Sequence, residues 1–217
     1  MRKEVKKRWE LFRSGTSVLR FLEYRAIRGV ALKGAILDLG GGKRMDYHSI
    51  FDVDGDIDSV NFSEAVEPTY LADLNEPLPI ENDRYDTCIS LNCFEHIYRD
   101  ELACSEMMRV LRAGGEFHVL VPFLYRVHGS PEDYHRLTES CWQKRFLELG
   151  AESETLEIEA LGMDPVVGGW SLIEAATPGV RVFRCLALLM GFVFFLKRNE
   201  WRDFALGYYI RGKKSER

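Results

Sequence analysis

Residues 35–44 read Ala35-Ile36-Leu37-Asp38-Leu39-Gly40-Gly41-Gly42-Lys43-Arg44. A short apolar run feeds directly into three glycines, which predicts a strand ending in a tight loop. Glycine there permits positive φ and lets a ligand approach the backbone closely. A phosphate-cradling loop of the form G-x-x-x-x-G-K-[ST] fails twice, because Leu37 holds the first glycine position and Arg44 the Ser/Thr position. A dinucleotide fingerprint G-x-G-x-x-G is met by Gly40 and Gly42 but breaks at Met45, which argues against a nicotinamide-dependent oxidoreductase. The pattern D-x-G-x-G remains. A carboxylate at the strand end, Asp38, repels phosphate and suits a ligand carrying an amino group and a sulfonium.

Outward from this loop, strands and helices alternate. Residues 57–62 read as a weaker strand, and residues 87–91 as a strand buried on both sides, since they do not alternate in polarity. Residues 100–112 carry a helical stripe of Leu102, Ala103, Met107, Val110 and Leu111, with Asp100 as expected N-cap and Gly114 as expected C′ residue. Residues 116–121 form a strand stopped by Pro122, residues 140–149 a helix, and residues 155–160 and 205–211 two late strands. This alternation implies an α/β fold, doubly wound, with a mostly parallel sheet. Ligands of such sheets bind beyond the carboxyl ends of the strands, here after Leu39, Phe62, Leu91 and Val121.

The 217 residues fit one domain with a sizeable core. Net charge is -5, unevenly spread. Residues 1–28 hold nine Lys/Arg against three Asp/Glu, and residues 197–217 seven against three, whereas residues 29–196 hold 13 against 28. An acidic body with basic ends excludes a nucleic-acid-coating surface. Residues 3–28 read as a helix with Val5, Trp9 and Phe12, then Leu19, Leu22 and Ala26, on its apolar side. Its basic side is either a solvated face or a surface for lipid or an anionic substrate.

No apolar stretch follows the N-terminal charges, so no secretory signal is expected. The longest uncharged apolar run, residues 185–196, is shorter than the ~20 residues of a spanning helix. It reads as a buried helix, a peripheral membrane contact or a homodimer interface. The five cysteines, Cys88, Cys93, Cys104, Cys141 and Cys185, form no C-x-x-C pair and no zinc-spaced cluster with histidine. Reduced thiols, a cytoplasmic location and no bound metal are the expectation.

With the D-x-G-x-G loop, four further segments occur in an order that resembles the class I S-adenosylmethionine-dependent methyltransferases, in particular the small bacterial type 11 group. They are Leu71-Ala72-Asp73-Leu74 continuing to Leu78-Pro79; Tyr85-Asp86 with Glu95-His96-Ile97; Arg109-Val110-Leu111 with Gly114-Gly115; and Pro122, His128, Pro131, Asp133, Tyr134, Arg136 and Thr138. The resemblance covers residues 30–150 and the last strand. It implies a seven-stranded Rossmann-like sheet in a single domain over residues 1–217. Residues 1–30 would be a basic helical extension, 31–160 the cofactor-binding core, 161–202 an apolar helical insert, and 203–217 the last strand and tail.

The resemblance also implies S-adenosylmethionine as cofactor, held by Asp38, Gly40, Gly41, Gly42, Asn61, Asp73, Leu74 and Asn92, with Asp73 on the adenine amino group. Two positions depart from the family pattern. Asn61 stands where an acidic residue usually meets the ribose, with Glu64 as the nearest substitute, and Arg44 stands at the third motif glycine. The implied activity is methyl transfer to a small-molecule or lipid-linked acceptor, such as a sugar hydroxyl; a non-catalytic scaffold of the same fold is the alternative. His96 and His128 are the candidate catalytic bases. The other reading of His128 is a loop network with Asp133, Tyr134 and Arg136. His118, mid-strand, reads as a core histidine, and His48 and His135 carry no signal.

Overall fold

The computed structural model describes residues 6, 10–11, 16–129, 131–162, 165–176 and 204–216. The strands are β1 (Ala31–Lys33), β2 (Ile36–Leu39), β3 (Asp52–Asp54), β4 (Ile57–Asn61), β5 (Tyr70–Leu71), β6 (Tyr85–Leu91), β7 (Leu111–Pro122), β8 (Glu157–Leu161) and β9 (Gly207–Lys213). The helices are α1 (Val18–Ile27), α2 (Asp100–Val110), α3 (Glu139–Glu148) and α4 (Pro165–Ala176).

Seven strands form one sheet in the order β5-β4-β2-β6-β7-β9-β8. The first five run parallel, and β9 runs antiparallel to both neighbours. From β2 the chain winds outward through β4 to β5, then returns to β6 on the other side of β2. The winding reverses between β2 and β6, and that switch point opens a crevice at the carboxyl ends of both strands. β1 and β3 pair separately as a small parallel ribbon.

The two-residue period of the strands explains the two cores. On one face Leu37, Leu39, Cys88, Phe117 and Val119 pack with Ala103 and Met107 of α2 and Trp142 and Phe146 of α3. The Phe117 and Phe146 rings stack at 4.7 Å between centroids. On the other face Ile36, Ile89, Leu120 and Tyr209 pack with Val18, Leu19 and Leu22 of α1. Residues 87–91 are buried throughout, as their lack of polar–apolar alternation predicts.

Two expected caps are corrected. Asp100 is the first helical residue of α2 rather than its N-cap, and its carboxylate pairs instead with Arg145 of α3. Gly114 is not the C′ residue of α2: the chain leaves the helix at Leu111 and enters β7 directly. Gly114 takes φ 72° inside β7, where four residues bulge out between the Leu111–Tyr85 and Glu116–Thr87 pairings. The N-terminal helix restarts at Val18, where Ser17 accepts a hydrogen bond from Arg20 N at 3.2 Å. β1, β3 and β5 were not expected; each has two or three residues, too few to show a pattern. Val5, Trp9, Phe12 and the apolar run 185–196 lie outside the described residues. Among the described residues no helix is long and apolar enough to cross a membrane.

Candidate active site

β2 delivers the glycine loop to the switch point. Gly40 turns with φ 89°, and its N–H donates to Val60 O at 2.9 Å. A side chain at any of the three glycines would collide. A Cβ on Gly40 would lie 2.3 Å from Cys93 Sγ, on Gly41 1.9 Å from Asp38 Oδ2, and on Gly42 2.4 Å from Val66 O. The loop is therefore wedged between the starts of the loops after β4 and β6, and only backbone fits there.

Asp38 is fully buried beneath this loop. Its Oδ2 accepts from Tyr47 Oη and from His48 Nε2, each at 2.7 Å. Burial and the Asp38 charge push the Tyr47 phenol far above its ordinary pKa. His48, which carried no sequence signal, is thus a second anchor of the loop.

A cavity of about 510 Å³ opens beyond the strand ends, within the roughly 300–1,000 Å³ of small-molecule sites. Gly40, Asn61, Asp73, Leu74, Asn75 and Asn92 line it from the strand ends and the first turns of the loops beyond them. His96, Ile97, Pro131, Glu132 and Tyr134, farther along the loops after β6 and β7, line it as well. Of the expected cofactor residues, five therefore share one cavity; Asp38, Gly41 and Gly42 lie behind its wall.

Each polar residue of the first set has a local reason for its place. Asn61 ends β4 and donates its Nδ2 to Gly40 O at 2.8 Å and Gly41 O at 3.1 Å, while its Oδ1 accepts from Ser63 N at 3.0 Å. Asp73 folds a turn, its Oδ1 accepting from Asn75 N at 2.8 Å and Asn75 Nδ2 at 2.9 Å. Asn92 follows β6 at φ 49°, a left-handed conformation that asparagine tolerates better than most residues. Its N–H is fixed by Leu120 O at 2.8 Å. A backbone-walled glycine loop beside amide and carboxylate acceptors fits an amino-acid and nucleoside ligand.

His96, a lining residue, meets His128 of the next loop, their ring centroids 5.0 Å apart. His96 Nδ1 faces Glu132 O at 2.5 Å, and its Nε2 lies 3.5 Å from Glu95 Oε1. Burial, followed by the nearness of His96, lowers the His128 pKa. Asp133 Oδ2 accepts from His128 N at 2.8 Å, and Arg136 clamps both Asp133 oxygens at 2.5 and 2.6 Å. Burial works against the Asp133 charge, but the Arg136 bonds more than offset it and hold its pKa low. Tyr134 N donates to Glu95 O at 2.7 Å. Of the network read from His128, Asp133, Tyr134 and Arg136, the His128–Asp133–Arg136 part is present, while the Tyr134 N–H turns to Glu95; together they hold His128 against His96.

Two acids at the site were missed. Glu95 is 2% exposed, neither carboxylate oxygen has a hydrogen-bond partner, and burial pushes its pKa up to about 8. Glu23 of α1 is also buried, with its pKa raised by that burial. Glu95 stood next to His96 in the sequence. Its burial arises from the 3-10 turn at 94–96, which strand and helix periodicities do not register. His118 is a buried strand residue whose Nδ1 lies 2.7 Å from Tyr209 Oη.

Residues 44–119 match the family described as a methyltransferase domain. No curated protein matches the chain in sequence. Among solved structures, an S-adenosylmethionine-dependent methyltransferase from Mesorhizobium loti superposes with TM-score 0.55 at 14% identity, over 92% of this chain and 99% of that one. The Haloferax volcanii protein solved with the Trm112 methyltransferase activator gives 0.56 at 18%, over 89% and 88%. A Haemonchus contortus phosphoethanolamine N-methyltransferase, solved with phosphomonomethylethanolamine and S-adenosylhomocysteine, gives 0.53 at 16%, over 89% of this chain but 52% of that one. Residues 44–119 thus carry the methyltransferase-domain match, and the chain shares the fold of solved S-adenosylmethionine-dependent methyltransferases.

Proposed function

We propose that the chain methylates an oxygen nucleophile, a hydroxyl on a small or lipid-linked acceptor such as a sugar. The observation that supports this reading is the make-up of the cavity lining. One set of lining residues is glycine backbone, amides and Asp73, and would seat the cofactor. Another is His96, Pro131, Glu132 and Tyr134, and would seat the acceptor.

The cofactor supplies a methyl group on a positively charged sulfur, already a good leaving group. The protein's remaining tasks are alignment and removal of the acceptor proton. Holding the acceptor oxygen in line supplies about 7–11 kcal/mol. As the new O–C bond forms, the C–S bond breaks with its electron pair returning to sulfur, and the hydroxyl proton must leave. His96, which lines the cavity, with His128 beside it, would activate that hydroxyl and take its proton. Gly40 and Asn61, with Asp73, Leu74 and Asn92, would contact the cofactor; Asp38 would act from beneath, holding Gly41 and Gly42 in shape.

The lipid-linked acceptor is supported by the basic N-terminal segment and by the apolar run 185–196 between Arg184 and Lys197. Such an acceptor would bring the enzyme to a membrane surface without spanning it.

The test is incubation of the full chain with S-adenosylmethionine and a panel of free sugars, sugar nucleotides and polyprenyl-linked sugars, followed by mass spectrometry. A methyl ether formed with one equivalent of S-adenosylhomocysteine is expected. Transfer confined to nitrogen or carbon acceptors would overturn the oxygen reading.

A further inference from the structure

Three side chains beside the cavity converge as no sequence spacing announces. One carboxylate oxygen of Glu95 and one ring nitrogen each of His96 and His128 lie within 4.8 Å of one another. Glu95 is deeply buried, and neither of its oxygens has a hydrogen-bond partner. A buried acid whose oxygens have no partners becomes a carboxylate only at a cost, which a cation meeting it would offset.

The histidines are oriented as ligands. His96 Nδ1 lies 2.5 Å from Glu132 O, and a carbonyl only accepts, so the proton sits on Nδ1. The lone pair of Nε2 then points toward Glu95. His128 Nδ1 faces Arg126 O and Asp133 Oδ2, each at 3.3 Å, with Arg136 Nη2 at 3.4 Å. Arg136 is itself bound by both Asp133 oxygens. Oxygen acceptors behind one ring nitrogen, with the other left to coordinate, are the outer-sphere arrangement of metal-bound histidine.

We propose that Glu95, His96 and His128 form a divalent transition-metal site beside the cavity. Two imidazoles and one carboxylate suit a borderline ion such as Zn²⁺ and leave a position open for an exogenous oxygen. Bonds of about 2.1 Å put ligand atoms about 3–4 Å apart, so shifts of about 1 Å close the site. This departs from the expectation of no metal, which rested on the lack of closely spaced Cys and His. Here 31 residues separate the two histidines between neighbouring loops. It deepens the proposed role of the site: with both imidazoles as ligands, the cation rather than a free ring would activate the hydroxyl, which then loses its proton to water more readily. Metal binding is measured without any acceptor, so its failure and the failure of the acceptor reading are separate results.

The test is titration of chelator-stripped full-length protein with ZnCl₂ by calorimetry, and with CoCl₂ by visible absorption. One saturable site per chain is expected, with Co²⁺ bands of low-symmetry nitrogen and oxygen ligation. Glu95→Gln, His96→Gln and His128→Gln should each weaken binding at least tenfold, and Asp133→Asn, behind His128, by about 10–100-fold. His135→Gln, outside the cluster, should leave binding unchanged. Absence of saturable binding in the wild-type chain at about millimolar metal would overturn the site. So would equal loss in His135→Gln, or wild-type binding in correctly folded Glu95→Gln. The Co²⁺ spectrum of the wild type decides the matter even where a variant does not fold.

Discussion

The side-chain amide of Asn61 donates to the carbonyl of Gly40 at 2.8 Å, tying the end of β4 to the loop after β2. A second bond reaches Gly41 O at 3.1 Å. A carboxylate in this position has no proton to donate to either carbonyl. Asn61→Asp, which restores the acidic residue more usual at this point, should therefore weaken the protein. Loss of the paired bonds predicts about 1–3 kcal/mol of stability. S-adenosylhomocysteine affinity should fall with it, as measured by calorimetry; tighter binding by the Asp variant would show that this residue serves the ribose and not the loop.

Two glycines should respond oppositely to alanine. At Gly42 a Cβ would meet Val66 O at 2.4 Å, a backbone atom that cannot swing aside. Gly42→Ala should destabilise the loop and cut cofactor affinity at least tenfold, or about 1.4 kcal/mol. At Gly169, inside α4, nothing lies within 4 Å of the added carbon. There alanine removes the helix penalty of glycine, so Gly169→Ala should gain about 0.5–1 kcal/mol. Chemical denaturation of both variants checks the contrast.

Arg109 fixes the segment that precedes β6. It donates to both Glu106 oxygens and Asn82 Oδ1, each at 2.7 Å, and to the carbonyls of Ile80 at 2.7 Å and Leu78 at 3.2 Å. Glu106 in turn accepts from Leu78 N at 2.6 Å. A lysine keeps the charge but not the planar fork. Arg109→Lys should cost about 1–3 kcal/mol in urea unfolding, while cofactor affinity stays near wild type because this segment lies off the cavity.

How far the sequence carried can be seen in these same residues. Asp38, Gly40 and Asn92 were legible because a strand end before a glycine loop, and a polar residue just past a buried strand, mark the switch point directly. Asn61 was found by register, but its donor role was not, since direction of donation depends on which carbonyls fold back over it. His48 and Glu95 were missed for one reason: both sit in single 3-10 turns, where neighbours in space come from distant loops. The caps at Asp100 and Gly114 failed because Arg145 and the β7 bulge, both distant in sequence or in pairing, recruited those residues elsewhere.

His118 should leave a signature in acid. Burial pulls its pKa from 6.5 down to about 4, so the folded protein keeps it neutral where the unfolded chain takes up a proton. The folded-state pKa is depressed, so this stability is complete above about pH 6.5 and is lost as pH falls from there toward 4. The full span amounts to roughly 3 kcal/mol. His118→Asn should flatten the pH dependence of unfolding free energy between pH 7 and 5; an unchanged slope would mean that the ring titrates in the fold as it does in the unfolded chain.

The central claim is that the crevice beyond β2, β4 and β6 holds the cofactor. A crystal structure grown with S-adenosylhomocysteine tests it most directly. The predicted result is the nucleoside and amino-acid portions lying against Gly40, Asn61, Asp73, Leu74 and Asn92, with the sulfur facing His96. A ligand bound elsewhere, or a crevice still empty at saturating ligand, would contradict it.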